Sequence, residues 1–138
     1  MQLHAYLTFN GTCEDALNFY KDVFDGEIVG LSRFGEAPMP MDDDAKNRVM
    51  HATLNFGDGN SLMASDSMGG QEVPSTSSIT LSLSGTDLEE GTRYFEQLSE
   101  GGQVNMPFED TFWGARFGML TDKFGINWMI NCELPKPE

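Results

Sequence analysis

Thr121-Asp122-Lys123-Phe124-Gly125-Ile126-Asn127-Trp128-Met129-Ile130-Asn131 decides the fold, because an earlier stretch repeats its turn and strand. Asp58-Gly59-Asn60-Ser61-Leu62-Met63 aligns with Phe124-Gly125-Ile126-Asn127-Trp128-Met129 at an offset of 66 residues, from Gly59 to Gly125. A chain that repeats itself once predicts two copies of one small unit, and paired units can enclose a concave site.

Upstream, Leu3, Ala5, Leu7 and Phe9 alternate with His4, Tyr6 and Thr8, the period of a strand with two unlike faces. Asn10-Gly11-Thr12 supplies a turn and an N-cap, and Glu14 and Asp15 sit where a helix dipole favours negative charge. Ala16, Leu17, Tyr20, Val23 and Phe24 recur at helical spacing until Asp25-Gly26 ends the run. Strands are predicted at about 27–34, 48–56 and 61–65. An exposed loop, 35–47, separates the first two, and Gly57-Asp58-Gly59-Asn60 makes a hairpin turn between the last two.

Residues 67–77, rich in Gly and Ser, read as a linker between a first module of about 1–66 and a second of about 78–132 within one domain, 1–138. In the second module Ile79, Leu81 and Leu83 alternate with serines and a threonine. A helix over 87–99 follows, capped by Thr86 or Asp87, with Leu88, Gly91, Phe95 and Leu98 inward and Gly101-Gly102 as its stop. Strands at 104–108, 114–121 and 126–132 complete it. The prediction is an α+β fold of two β-α-β-β-β modules. His4, Tyr6, Thr8, Ser61, Met63 and Ser65 would lie on one face of the first module's sheet. Ser78, Thr80, Ser82, Asn127, Met129 and Asn131 would do so in the second, and such faces would line a curved groove with helices outside.

A chain of 138 residues buries enough surface to fold without a disulfide or structural metal, and Cys13 and Cys132 belong to no metal-binding or redox motif. The net charge of −14 argues against nucleic-acid and anionic-membrane partners. With no apolar run long enough to cross a bilayer and no leader pattern, a cytoplasmic protein is expected. Asp42-Asp43-Asp44 lacks the spaced ligands of a calcium loop and reads as solvated.

Tyr6-Leu7-Thr8-Phe9-Asn10-Gly11, Ala16-Leu17-Asn18-Phe19-Tyr20, Phe112-Trp113-Gly114 and Asp122 to Asn131 together resemble the vicinal oxygen chelate superfamily (glyoxalase, bleomycin-resistance and extradiol-dioxygenase proteins), and within it the PhnB-like branch. The resemblance implies sheets curving around a cavity, commonly in homodimers. Metal-using members take one ligand from the first and one from the last strand of each module, which carries over to His4, Met63, Ser78 and Met129. Only His4 is a suitable ligand for a divalent metal, so the usual centre is expected to be degenerate and no cofactor is assigned. Some PhnB-like proteins carry a demethylubiquinone methyltransferase label. No glycine-rich strand-to-helix turn with a following ribose-binding acid supports it in this chain.

Arg48-Val49-Met50-His51-Ala52 also resembles the branch. Parity groups His51 with Val49, Thr53 and Asn55, where it would serve as an acid/base, beside His4, or as an ordinary histidine within a sheet. Phe112, Trp113 and Phe117 would stack on a planar ligand, with Arg116 as a forked donor to a carboxylate or phosphonate, or would fill a core or dimer contact. Tyr6, Met63, Ser78 and Met129 complete the expected ligand-binding set, and Met39 and Met41 would form an apolar lid. Cys13 lies at a helix start, but Glu14 and Asp15 oppose its thiolate.

Three functions compete. The leading expectation is a protein that binds a small organic molecule. The others are a metal-assisted lyase, isomerase or dioxygenase-like enzyme, and a non-catalytic structural or regulatory dimer.

Overall fold

The structure is a computed structural model that describes residues 1–37, 40–67, 73 and 77–136. The chain divides into two compact units, Met1–Val73 and Pro74–Glu138. Most of the expected linker, and Met39 of the expected lid, lie outside the described residues.

In the first unit, β1 (Ala5–Phe9) leads into α1 (Cys13–Phe24), followed by β2 (Glu27–Arg33), α2 (Asp43–Asn47), β3 (Val49–Phe56) and β4 (Asn60–Asp66). The sheet order is β1-β4-β3-β2, with β1 and β4 parallel and the other pairs antiparallel. In the second unit, β5 (Leu81–Gly85), α3 (Leu88–Ser99), β6 (Gln103–Asp110), β7 (Ala115–Thr121) and β8 (Asn127–Glu133) repeat the plan as β5-β8-β7-β6. Leu62 pairs with Ala5 and Trp128 with Leu81, so the 66-residue offset seen in the sequence is also the offset of the final strands.

The two long helices, α1 and α3, each cover one face of their own unit's sheet. Ala16, Leu17, Tyr20, Val23 and Phe24 of α1 are buried against a face that presents Ala52, Leu54, Leu62 and Ala64. Burial of such side chains contributes about 1.5–3 kcal/mol for each large apolar one. Asp25, not Gly26, takes the left-handed conformation that ends α1 (φ 52°). Gly26 is required because a Cβ there would lie 2.7 Å from the Asn55 carbonyl oxygen.

The second core is built from Phe95, Leu98, Leu120, Trp128 and Ile130. Asp87 caps α3, its side chain accepting from the Glu90 N–H at 3.1 Å.

Four expectations need correction. The loop over 35–47 contains α2, which Asp42 caps by accepting from the Ala45 N–H at 2.8 Å, so the aspartate run is a cap and first turn. Leu3 and Ile79 are 98% and 70% exposed and precede their strands, so the apolar faces begin at Ala5 and Leu81. Val49 is buried instead of sharing the face of His51, and irregular register where β3 meets the end of β2 accompanies the change of parity. Thr12 precedes α1 but makes no side-chain cap bond. Asp66 of β4 takes that role, accepting from the Cys13 N–H through Oδ1 (2.9 Å) and from the Val49 N–H through Oδ2 (2.9 Å).

Candidate functional site

The face of the first sheet turned away from α1 is ordered in cross-strand rows. Tyr6, Met63, Thr53 and Val29 form one row across β1, β4, β3 and β2. Thr8 pairs with Ser65 and His51 with Ser32, while the Ala52–Ala64 pairing sets Ser65 beside His51, which makes a second row. Tyr6 and His51 are joined diagonally. The Tyr6 hydroxyl and His51 Nδ1 share a hydrogen bond of 3.0 Å, and the ring centroids are 5.7 Å apart.

His4 lies on the same face, next to Ser61. Its Nδ1 is 3.1 Å from Ser61 Oγ and its Nε2 is 3.0 Å from Gln2 Oε1, so both ring nitrogens are engaged with neutral partners. The strand register makes Thr80 the counterpart of His4 in the second unit, with Ser78 two residues earlier and outside β5. Among the described residues no three of His, Cys, Asp and Glu converge on one point. Two thioethers, one alcohol and one histidine at the transferred positions do not fit the divalent ion that the superfamily implies.

On the second sheet the face turned away from α3 joins methionines and aromatic rings to a polar fringe of Ser82, Asn127 and Asn131. Met106, Met119 and Met129 stand in register on β6, β7 and β8, with Ser82 on β5 completing the row. The Phe112 and Trp113 rings meet edge to face (5.2 Å, 89°), and Trp113 meets Phe117 likewise (5.6 Å, 67°). Trp113 Nε1 donates to Asn131 Oδ1 at 3.2 Å, and Asn131 is itself paired with Phe117. Sequence reading had not singled out Met106, Met119 or the anchoring role of Asn131. Phe112 is 97% and Trp113 52% exposed.

Arg116 is not part of that cluster. It pairs with Cys132 on the helix-facing side of the sheet, and its Nε donates to Asp110 Oδ1 at 2.8 Å. It borders a shallow cleft of about 340 Å³ together with Leu88, Thr92 and Glu96 of α3. A wider polar recess of about 650 Å³ lies at the β7–β8 turn, between Gly102, Thr121, Lys123 and Asn127.

Cys13 is fully buried, and its pKa is pushed up to about 12 by burial first, then by Asp66 and Glu14. It is a protonated core residue at neutral pH.

A family model described as 3-demethylubiquinone-9 3-methyltransferase matches residues 1–131. Protein YjdN of Escherichia coli K12 is 36% identical, over 99% of each chain. The crystal structure of protein PA1353 from Pseudomonas aeruginosa superposes with a TM-score of 0.88 at 40% identity, covering 98% of this chain and 99% of that one. A Bacillus cereus PhnB protein, described as a putative methyltransferase of the same name, gives 0.80 at 30% identity over 96% and 99%. In fold alone, at 15% and 14% identity, the chain is similar to a glyoxylase/bleomycin resistance protein/dioxygenase domain from Frankia (TM-score 0.69; 96% and 97% covered) and to a Listeria monocytogenes fosfomycin resistance protein, FosX, complexed with Mn(II) (0.64; 95% and 90%). The chain therefore belongs to the family described as 3-demethylubiquinone-9 3-methyltransferase, with a PhnB protein among its relatives, and shares its fold with glyoxalase, bleomycin-resistance and dioxygenase domains.

Proposed function

We propose that this protein binds a small organic molecule on the sheet faces turned away from its helices, and does so without a catalytic divalent metal. The observation that carries the reading is the Phe112–Trp113–Phe117 cluster. Large aromatic rings are held edge to face at a solvent-exposed position, with the indole N–H tied to Asn131, so stacking area is oriented before a ligand arrives. The methionine row beside it supplies a polarizable floor that adapts to ligand shape.

Methyl transfer, the activity in the family's description, is not part of this proposal. The turn between β1 and α1 carries a single glycine, Gly11, and the α1 N-terminus is occupied by the Asp66 carboxylate rather than left free for a nucleotide. A cytoplasmic homodimer is proposed with it, supported by the family resemblance and by exposed Val104 and Met106 on edge strand β6.

Trp128 is buried and its Nε1 donates to Asp122 at 2.9 Å, so Trp113 is the indole that a ligand can reach. Titration of EDTA-treated protein with planar aromatic fragments should change intrinsic fluorescence saturably, and Trp113→Phe should abolish the change. A full panel without a saturable response would refute the reading.

A second reading is favoured by the fold similarity to the Mn(II)-complexed FosX protein: a metal-assisted lyase, isomerase or dioxygenase-like enzyme that uses His4. It requires a stoichiometric divalent ion in the purified protein that is lost in His4→Ala.

A further inference from the structure

On the first sheet the row Thr8–Ser65–His51–Ser32 places three hydroxyls and an imidazole side by side, one from each of four adjacent strands about 4.8 Å apart. His51 is half-buried, and its one hydrogen bond among the described residues is Nδ1 to the Tyr6 hydroxyl. Nε2 therefore has no partner there, and neither do the hydroxyls of Ser32 and Ser65. His4 differs, since both its nitrogens are engaged.

When the Tyr6 phenol is the donor to Nδ1, the neutral ring carries its proton on Nε2. The position then presents an N–H donor flanked by two hydroxyls that can also donate. Glu36 accepts from the Arg33 N–H at 2.8 Å, next to Ser32, and Asp66 follows Ser65, its buried carboxylate bonded to the Cys13 and Val49 N–H groups. The carboxylate further along this sheet face is Glu27 at its far edge, paired with Asn55 two rows from His51. At about 13 Å, twice the spacing of alternate strand residues, it lies beyond the Debye length of roughly 8 Å at physiological ionic strength. The two nearer carboxylates are each already hydrogen-bonded to backbone N–H groups, and a bound anion has to offset their charge through its own hydrogen bonds.

We propose that His51 Nε2–H, with Ser32 and Ser65, binds the carboxylate of a small organic ligand, and that Tyr6 is the positioning residue that fixes the His51 tautomer. The two oxygens of one carboxylate accept from the imidazole and from a flanking hydroxyl. This deepens the binding reading above and rests on it, but it concerns the first unit's sheet, whereas the aromatic cluster belongs to the second.

The test is NMR on the whole protein with benzoate and its neutral isostere benzamide as probes. Ring ¹⁵N shifts of the free protein should show Nε2 protonated and Nδ1 as acceptor, and Tyr6→Phe should turn this into a tautomer mixture while the melting temperature stays within a few degrees. Benzoate should shift His51 and the Ser32 and Ser65 amides saturably, binding at least tenfold more tightly than benzamide. Tyr6→Phe should weaken benzoate at least threefold, and a Ser32→Ala/Ser65→Ala double variant should do the same if His51→Leu fails to fold. A proton on Nδ1 in the wild type, or equal binding of the two probes, overturns the proposal. Shifts confined to Trp113 and Phe117 overturn it while leaving the general binding reading intact, and shifts nowhere at millimolar probe overturn both.

Discussion

Asp66 and Cys132 occupy the same position of the repeat, 66 residues apart, and show how one residue type changes the local physics. The Asp66 carboxylate is 4% exposed and satisfies two backbone donors, at the start of α1 and the start of β3. Cys132 Sγ contacts the Asp87 carbonyl at 3.7 Å, and α3 is capped by Asp87 itself. Asp66→Ala should therefore cost about 1–3 kcal/mol for each orphaned buried N–H, measured by urea unfolding, whereas Cys132→Ala removes no cap and should cost less than Asp66→Ala. Cys13 provides a pH-dependent check. Its folded-state thiol keeps its proton to about 12 while the unfolded chain releases it from 9.0, so the unfolded state binds fewer protons in between. Stability should fall as pH rises through that window, and Cys13→Ala should flatten the melting-temperature profile there. Cys132 is shifted in the same direction by burial and by Asp87 and Glu90, so some slope remains in the single variant. Much of the candidate site was legible at this scale: Tyr6, His51, Met63 and Met129 do lie on the faces that period two assigns to them. The separation of Arg116 from Phe117 was legible too, since neighbours in a strand point to opposite faces. The strand expected at 114–121 already contains both residues, and β7 (Ala115–Thr121) bears that out, so grouping Arg116 with Phe117 overlooked the alternation of a strand. The Tyr6–His51 bond was not legible, because it is diagonal and depends on a register that only the paired strands define.

At the scale of the element, α3 contains a glycine where helix propensity would favour alanine by about 1 kcal/mol. A Cβ on Gly91 would clash with Cys132 Sγ and touch Phe108, so the glycine lets the helix lie close to β8. Gly91→Ala should lower the melting temperature despite its better propensity, and Cys132→Ala in the same chain should recover part of the loss. Gly118 serves the facing surface, where Phe95 and the Phe108 backbone leave no room for a side chain. Both helices, the hairpin at Gly57 to Asn60 and the β-strands could be read from periodicity and turn chemistry. The short α2 could not, because three consecutive aspartates look like solvent-facing charge until Asp42 is seen accepting from Ala45. Glu14 at the start of α1 also pairs with Arg33 of β2 (2.8 Å), but both side chains are more than a third exposed, so Arg33→Ala should cost under about 1 kcal/mol through the lost charge pair.

For the whole molecule, one sequence offset carried from Gly59–Gly125 into the register of β4 and β8 explains why the fold was readable from a short segment. The repeat fixes backbone plan and face polarity but not side-chain chemistry: the first sheet displays hydroxyls and histidines, the second methionines and aromatics. Function is correspondingly less legible than fold, since it depends on which side chains the repeat was filled with. Sedimentation equilibrium should report a dimer, and Val104→Glu with Met106→Glu on β6 should shift it towards monomer if that edge is the contact. The central claim is ligand binding without a divalent metal centre. Its most direct test is elemental analysis of untagged, EDTA-dialysed protein, followed by titration of the same sample with planar aromatic fragments while Trp113 fluorescence is recorded. Saturable binding with less than a tenth of an equivalent of any divalent metal is the predicted result. About one retained ion per subunit, with binding lost when it is stripped and restored when it is returned, would contradict the account.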